Sequence, residues 1–527
     1  MAIRTAGILN GFGASDFVRM KDKLADLQRQ LGTGKKSETY GGLGADRGFS
    51  LAFRASLTQI DAWQQNIAVV TTRINIIETA LSGLQSTASS VKTALQPNDF
   101  NLSSGRTYGQ ISAADGLNAI VSMLNANDGS RYVFGGRKTA SPPVLDSVRF
   151  MNGEGAKDGF KTVLLERMQA DLGADGASPE MNPAATGRVT LSGAGSDPVV
   201  LAEDGAHPFG LKIGSVTGAM DGVTATVTAG PPASLSLASG SGNALPGQSL
   251  TLSFTLPDGS TERLTMQAVA ADAVDLTPGQ FRVGASAAET LQNLRSNLAG
   301  QLDGLVRTKL AAASAVKAGE EFFRGETDPV ALAGPPAIEY GVPLRLVPGL
   351  SGTMADAVAY DSLANADQRT VRWYQGDRTT SSPRATATAE VDSAQAVSYG
   401  VRANEDALRT TVQYLAVASA ITFSSTDPHA LARYQALTPR VSSGLSMETS
   451  PQSVESIRIE ISAASTAANS AKSRHTDSQS MIRNLLADIE DVDPNEVAVY
   501  MLAMKTSLEA SYQTTSMLSQ LSLLRYL

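Results

Sequence analysis

Residues 60–95, IDAWQQNIAVVTTRINIIETALSGLQSTASSVKTAL, decide the fold, because their apolar positions recur at intervals of three and four without a break. This spacing, kept over about five heptads, predicts one long α-helix with a single apolar seam. Such a seam needs a partner helix, since water does not satisfy it. The predicted seam contains Ile60, Trp63, Ile67, Val70, Ile74, Ile77, Leu81 and Leu84.

The same spacing returns near the other end of the chain, over residues 454–489. We expect the two long helices to cover each other as an antiparallel pair, because each carries an apolar seam of the same kind that needs a partner helix. A chain that folds back in this way is typical of a subunit that builds a rod. The second seam contains Val454, Ile457, Ile461, Ile482, Leu485 and Ile489.

A shorter apolar helix is predicted beyond each long helix. The first covers residues 15–31 with an N-cap at Ser15 or Asp16, and the second runs from Asn495 to the end with Asp493 as its N-cap. We expect these helices to serve assembly and to be mobile in the isolated subunit. Their apolar residues are Phe17, Met20, Leu24, Leu27, Leu31, Met501, Met504, Leu508, Leu518, Leu521 and Leu524.

The middle of the chain has a different character, rich in Gly, Pro, Ser and Thr from about residue 145 to 365. Apolar and polar residues alternate between 187 and 283, with a hairpin turn at Asp258-Gly259, and a helix is predicted over 287–323. The fold class is therefore α+β: a long-helix bundle with a β-rich insertion. The predicted segments are 1–50, 51–144, 145–370, 371–490 and 491–527.

Two further predictions concern the return to the helical region. Helical spacing resumes near Asp392, and prolines at positions 428, 439 and 451 favour a loop or hairpin between residues 426 and 450.

The composition of the chain argues against several classes of function. The net charge of -8 argues against a nucleic-acid partner. The chain has no cysteine, which excludes disulfides and suits a protein exported unfolded. The N-terminus lacks the features of a cleaved signal peptide, and no apolar run reaches the roughly 18 residues of a membrane span. We therefore expect export without cleavage and no membrane insertion.

Catalytic and metal-binding motifs are missing from the sequence. His207, His429 and His475 are isolated from one another, and no phosphate-binding or nucleophile motif is present. The acidic run from Asp488 to Asp493 lacks the central Gly and distal Glu of a Ca²⁺ loop, so it is interpreted as a helix end followed by an N-cap. We expect no enzyme activity, cofactor or metal.

Several stretches resemble the bacterial flagellin family. They are LGTGKKSETYGGLGADRG at 31–48, where the family's paired Asp and Pro are replaced, and LEASYQTTSMLSQLSLLRYL at 508–527. YVFGG at 132–136, WYQGD at 373–377 and YGVRANEDALR at 399–409 resemble the members of that family found at the hook-filament junction. The resemblance covers roughly residues 1–140 and 370–527.

This resemblance implies a structural subunit of the flagellum, exported by the flagellar type III apparatus and located outside the cell. It implies terminal helices that order on assembly, as in the family's innermost domains. The implied partners are copies of the chain itself, hook-associated protein 1 and flagellin as axial neighbours, and an export chaperone. The first alternative is a flagellin of the filament. An alternative of another class is a secreted adhesin or enzyme on a helical stalk.

Overall fold

The computed structural model describes residues 2–195, 197–324, 341–378, 382–446 and 452–524, and side chains from Ser15 to Met517 within those ranges. Helices take 53% and strands 15% of it, so the predicted α+β class is confirmed at that level. Three predicted assembly residues, Leu518, Leu521 and Leu524, have side chains outside the described part.

The helices lie mainly towards the two ends of the chain. Those described are α1 (Ala2–Thr33), α2 (Arg47–Ala94), α3 (Tyr108–Leu124), α4 (Ser147–Asn152), α5 (Phe160–Leu172), α6 (Ala287–Leu305), α7 (Ala311–Phe322), α8 (Leu363–Arg369), α9 (Asp406–Ala420), α10 (Ala430–Ser446), α11 (Val454–Glu490) and α12 (Pro494–Leu524). A π-helical turn, Val306–Leu310, joins α6 to α7, and short 3₁₀ turns span Tyr40–Asp46, Pro179–Met181 and Pro383–Thr386.

The strands are short and lie mostly in the middle of the chain. Those described are β1 (Gly153–Glu154), β2 (Lys157–Asp158), β3 (Val189–Leu191), β4 (Val199–Glu203), β5 (Lys212–Ala219), β6 (Val223–Thr228), β7 (Ser234–Ser239), β8 (Ser249–Thr255), β9 (Thr261–Val269), β10 (Gln280–Arg282), β11 (Thr388–Asp392) and β12 (Gln395–Ser398). One four-stranded sheet has the order β3-β4-β7-β6 and another the order β10-β9-β8-β5, in which only the β9–β10 pair is parallel.

The chain divides into two compact units. Unit 1 comprises residues 1–71, 389–397 and 465–527, and unit 2 comprises residues 72–388 and 398–464. Both units therefore draw on residues from the two halves of the chain.

The predicted hairpin in the middle of unit 2 is confirmed. Strands β8 and β9 pair antiparallel around a turn in which Gly259 has φ of 81°, a left-handed conformation that glycine adopts without a Cβ clash. The alternating apolar residues Leu250, Leu252 and Phe254 are buried. Helix α6 packs against strands of both four-stranded sheets and so covers their apolar faces.

The β-rich middle shares its core with helices on either side of it in the sequence. Helix α7 packs against α5, α9 and α10, and the ring of Phe323 lies 5.6 Å from that of Trp373. The Arg433 guanidinium donates to the Arg307 carbonyl oxygen, at 3.1 Å. The predicted boundaries at 145 and 370 both fall inside unit 2, because apolar faces of α9 and α10 are covered by the middle segment.

Two sequence predictions for the return to the helical region were wrong. Residues 388–398 form strands β11 and β12 rather than the start of a helix, and α9 begins only at Asp406. The segment 430–446 is helical although Pro439 lies inside it. Buried Tyr434, Leu437 and Val441 on α10, which packs against α9, outweigh the hydrogen bond that the proline removes.

The first helix is longer than its sequence pattern indicated. It begins at Ala2, so Ser15 and Asp16 lie within α1 and not at its N-cap. The Asp16 carboxylate instead pairs with Arg19 one turn later. Helix α12 packs against α1 and provides tertiary support that the local capping rule does not include.

A fully buried charge cluster lies between α5 and α7 in unit 2. The Arg167 guanidinium donates to Asp171 at 2.7 Å and to the Tyr360 hydroxyl at 2.6 Å, and it also pairs with Glu321. The Tyr360 hydroxyl donates to Glu321 at 2.6 Å. Burial raises the pKa of Tyr360, although the Arg167 charge opposes that shift. One guanidinium thus compensates two carboxylates that have no access to water.

We predict that Arg167→Met destabilises unit 2 by about 3–5 kcal/mol, because it leaves Asp171 and Glu321 buried without their cation. The free energy of unfolding would be measured in urea, with Trp373 as the fluorescent reporter in a Trp63→Phe background. Arg149→Met is the matched control, since the Arg149–Glu154 pair is half exposed and its loss costs at most about 1 kcal/mol. Equal costs for the two variants would contradict the prediction.

Candidate functional site: the paired chain ends

In unit 1, α2 and α11 contact each other in antiparallel order. The Trp63 ring stacks on the His475 ring at 5.1 Å, and the Gln479 amide donates to Asp61 at 2.7 Å. The Nε2–H of His475 donates to the Val391 carbonyl oxygen at 2.7 Å, which fixes the protonated nitrogen. His475 is therefore a packed seam residue that also anchors β11.

The seam residues that lie in unit 2 are buried there. Those on α2 are Ile74, Ile77, Leu81 and Leu84, and those on α11 are Val454, Ile457 and Ile461. The amide of Gln85 on α2 accepts from Arg458 on α11 at 3.5 Å, a long contact that continues the antiparallel order. In unit 1 the seam residues Ile60, Ile67 and Val70 are buried, and Trp63 is half-buried.

The last turns of the second seam are not covered. Ile482 and Ile489 are only half-buried, and Leu485 is 40% exposed. Phe49 and Leu51, near the start of α2, are exposed as well. This end of unit 1 therefore presents apolar side chains that the rest of unit 1 does not cover.

Helices α1 and α12 pack against each other in unit 1. The ring of Phe17 meets that of Tyr512 edge-on at 4.8 Å, and Leu27, Val497 and Leu508 are buried. Among the predicted assembly residues, Met20, Leu24, Met501 and Met504 are half-buried and Leu31 is exposed. Within residues 15–33 and 494–517, whose side chains the structure describes, most positions of both helices are exposed or half-buried.

A cluster around Glu490 ties the two helix pairs of unit 1 together. Its carboxylate accepts from Ser50 Oγ at 2.6 Å and from Arg54 at 2.6 and 2.9 Å, while Lys35 Nζ lies 3.5 Å from it and 2.5 Å from Asp491. We call these five residues the Glu490 cluster. Two backbone hydrogen bonds, Lys36 N to Glu490 O at 2.7 Å and Val492 N to Gly34 O at 3.0 Å, join the α1–α2 turn to the α11–α12 turn.

The Glu490 cluster lowers the pKa of its central carboxyl. The hydrogen bonds from Arg54, together with the Ser50 hydroxyl and the Lys35 charge, outweigh burial and lower the pKa of Glu490 to about 2. Asp493, also in the acidic run, accepts from Asn495 N at 2.8 Å and so occupies the predicted N-cap of α12. The sequence identified the N-cap but not the ion-pair role of Glu490, because its partners lie more than 400 positions away.

Exposed apolar side chains concentrate on unit 1. It holds little more than a quarter of the chain but half of the large exposed apolar side chains among the described residues. An excess of exposed apolar side chains in one unit is the composition expected of a surface that packs against other molecules. These side chains are Val18, Leu31, Tyr40, Phe49, Leu51, Val69, Met481, Leu485, Val499, Tyr500, Leu502, Tyr512 and Met517.

No described residues form a metal-binding group of three or more His, Asp or Glu side chains. His207 is buried against Arg188 and Asp204 in unit 2, where burial and the neighbouring Arg188 charge lower its pKa. His429 lies 3.9 Å from Asp303 on the surface. The three histidines are thus in separate places and have different partners.

One described helical stretch, Tyr40–Ala94, is long and apolar enough to cross a membrane by length and composition alone. The core helix of a soluble protein meets the same criterion, and 39% of the most apolar window is buried here.

No protein family and no curated protein sequence matches the chain. The candidate site therefore rests on the geometry of unit 1.

We predict that Glu490→Gln destabilises unit 1 by about 2 kcal/mol near pH 7. A shift of the pKa to about 2 corresponds to about 3 kcal/mol, which is discounted because Arg54 and Lys35 are half exposed. A lowered carboxyl pKa stabilises above the unfolded-state value of 4.5, and this contribution is lost as the pH falls through 2.

The difference between Glu490→Gln and the parent chain should therefore shrink below about pH 4.5 and vanish near pH 2. Urea unfolding of unit 1 would be followed by Trp63 fluorescence in a Trp373→Phe background. Glu509→Gln, at an exposed position on α12, is the control and should leave unfolding unchanged. A pH-independent difference would show that the Glu490 charge is not the cause.

Proposed function

We propose that the chain is a structural subunit of the bacterial flagellum, exported by the flagellar type III apparatus and assembled at the hook-filament junction. The observation that carries this proposal is the pairing of the two chain ends in a unit that holds half of the large exposed apolar side chains of the described residues. In a monomeric protein the exposed side chains of Val499, Leu502 and Met517 would contribute no hydrophobic stabilisation. A subunit that packs against neighbours buries them.

The proposed mechanism couples ordering of the terminal helices to burial. Among its described side chains the α1–α12 pair buries few apolar residues, so its local stability in the isolated subunit is expected to be low. Each large apolar side chain that a neighbour covers contributes about 1.5–3 kcal/mol. Covering several of them offsets the ordering entropy that both helices lose on assembly.

The fold we propose for the helical region is the antiparallel long-helix bundle of the flagellin family. In unit 1 the order of contacts, Arg54 with Glu490 and Asp61 with Gln479, supports it, because one sequence number rises while the other falls. The sequence resemblances at YVFGG, WYQGD and YGVRANEDALR favour a junction member. Its axial neighbours would then be hook-associated protein 1 on one side and flagellin on the other, with an export chaperone before assembly.

A flagellin of the filament itself is the second candidate. The long middle segment favours it, since unit 2 is larger than a minimal adaptor requires. The two functions differ in symmetry: an adaptor faces two unlike neighbours, whereas a filament subunit is complementary to copies of itself and grows without limit.

We predict that Leu502→Asp abolishes incorporation into the flagellum without destabilising the free chain. Leu502 is 68% exposed, so the substitution should change stability by less than about 0.5 kcal/mol, but it places a charge in the proposed interface. Secreted and incorporated protein would be compared by immunoblot of medium and sheared flagella. Val274→Asp, at an 84% exposed position of unit 2, is the matched control and should incorporate normally. Normal incorporation of Leu502→Asp would argue against this interface.

We also predict that deletion of the gene leaves cells with hooks but without filaments, while unpolymerised flagellin escapes into the medium. Purified protein, seeded with its own fragments, should not form long filaments, because its two axial surfaces differ. Electron microscopy measures both results. Micrometre-long filaments of the purified chain would replace the junction proposal with the filament alternative, and intact filaments in the deletion strain would contradict both.

A further inference from the structure

A small surface cavity in unit 2 gathers two cations without a carboxylate. It has a volume of about 110 Å³ and is lined by Arg106 and Lys161, with Asn118, Ser147 and Asn152 as polar neighbours. Lys161 Nζ donates to Asn152 Oδ1 at 2.7 Å. Among the described residues, no Asp or Glu pairs with either cation. Most arginines of this acidic chain, by contrast, have carboxylate partners, Arg167, Arg345 and Arg433 among them.

The positions of the two cations make the local potential more positive still. Arg106 immediately precedes Thr107, the N-cap of α3, and Lys161 is the second residue of α5. Helix N-termini carry partial positive charge and favour Asp or Glu, yet neither first turn contains an acidic residue. Two cations at two such ends repel each other and the helix dipoles. The repulsion is not compensated within the described part of the chain.

The chemistry of Lys161 reflects this repulsion. The Lys161 side chain is exposed overall, but partial burial lowers its pKa, and the neighbouring Arg106 charge lowers it further. An ammonium group in a stabilising ion pair behaves in the opposite way, as Lys35 beside Asp491 does: its pKa is raised. The cavity therefore has the electrostatics of an anion site before its anion binds.

We propose that Arg106 and Lys161 bind the phosphate group of a ligand, either free inorganic phosphate or a phosphomonoester. Two uncompensated positive charges match the two negative charges of phosphate better than the single charge of a carboxylate. Asn118 and Ser147 provide neutral hydrogen-bonding groups beside them. The volume is below the roughly 300–1,000 Å³ of pockets that enclose whole organic ligands, so the cavity holds the phosphate group alone.

The rest of a phosphomonoester has a place next to the small cavity. A second cavity of about 950 Å³ shares Asn118, Ser147 and Val148 with it. Its lining is mixed: Ser122, Asn125 and Gln375 are polar, the carboxylates Asp146 and Glu154 also line it, and several apolar side chains complete it. The polar side chains suit a hydroxyl-rich group. All residues that line the two cavities belong to unit 2, and none is among the proposed assembly residues of unit 1.

Calorimetry with the full chain tests the proposal. Inorganic phosphate and glycerol 3-phosphate should each bind with one-to-one stoichiometry, and acetate or chloride at equal ionic strength should not. Tighter binding of the monoester would identify an esterified ligand, and tighter binding of phosphate a free ion. R106Q and K161Q should each weaken binding about tenfold or more, as expected for loss of a charge-assisted hydrogen bond. R263Q, at an exposed arginine on β9, should not.

Chemical labelling of the unsubstituted protein provides a second readout that does not depend on a variant folding. Lys161, with its lowered pKa, should be acetylated by acetic anhydride faster than the exposed Lys472, as measured by peptide mass spectrometry. Millimolar phosphate should slow labelling of Lys161 but not of Lys472, and R106Q should slow it too by removing the repulsion. Absence of saturable phosphate binding, equal binding of acetate, or unchanged binding in both R106Q and K161Q would overturn the proposal.

Discussion

The structure depends on one constraint, the need of each long helix to cover an apolar seam that runs along its length. Ile67, Ile74 and Ile461 are buried, so the chain covers most of both seams, although the last turns of the α11 seam stay partly exposed. Because the two helices come from opposite ends of the sequence, covering the seams brings those ends together. The turns beyond the seams then become neighbours, and so do α1 and α12.

Charged hydrogen bonds fix the axial alignment of the packed helices, which apolar burial specifies only loosely. An apolar seam tolerates small axial shifts, whereas the Glu490 carboxylate meets its hydrogen-bond donors, Ser50 and Arg54, in one register only. In unit 2 a charged group also fixes the alignment of two helices, since Arg167 on α5 pairs with Glu321 on α7 within an apolar core. Arg106 and Lys161 differ in this respect from the buried Arg167, Arg345 and Arg433, each of which has a carboxylate partner.

Sequence reasoning worked where the interactions that decide a structure are local. The apolar spacing located α11 and the end of α2 to within a few residues, Asp493 and Pro494 identified the start of α12, and Asp258-Gly259 identified the β8–β9 turn. It was wrong where distant partners decide. Pro439 lies inside α10 because α9 covers that helix, and Ser15 lies inside α1, which packs against α12.

The sequence by itself determined the α+β class, the two seams, the hairpin and the N-cap of α12, since periodicity, turn chemistry and capping are properties of neighbouring residues. Only the tertiary structure decided that Glu490 meets Ser50 and Arg54, that α7 completes a core with α9 and α10, and that Arg106 and Lys161 line one cavity. Each of these contacts joins residues far apart in the chain. Their energies depend on distance and burial in space, which spacing along the sequence does not encode.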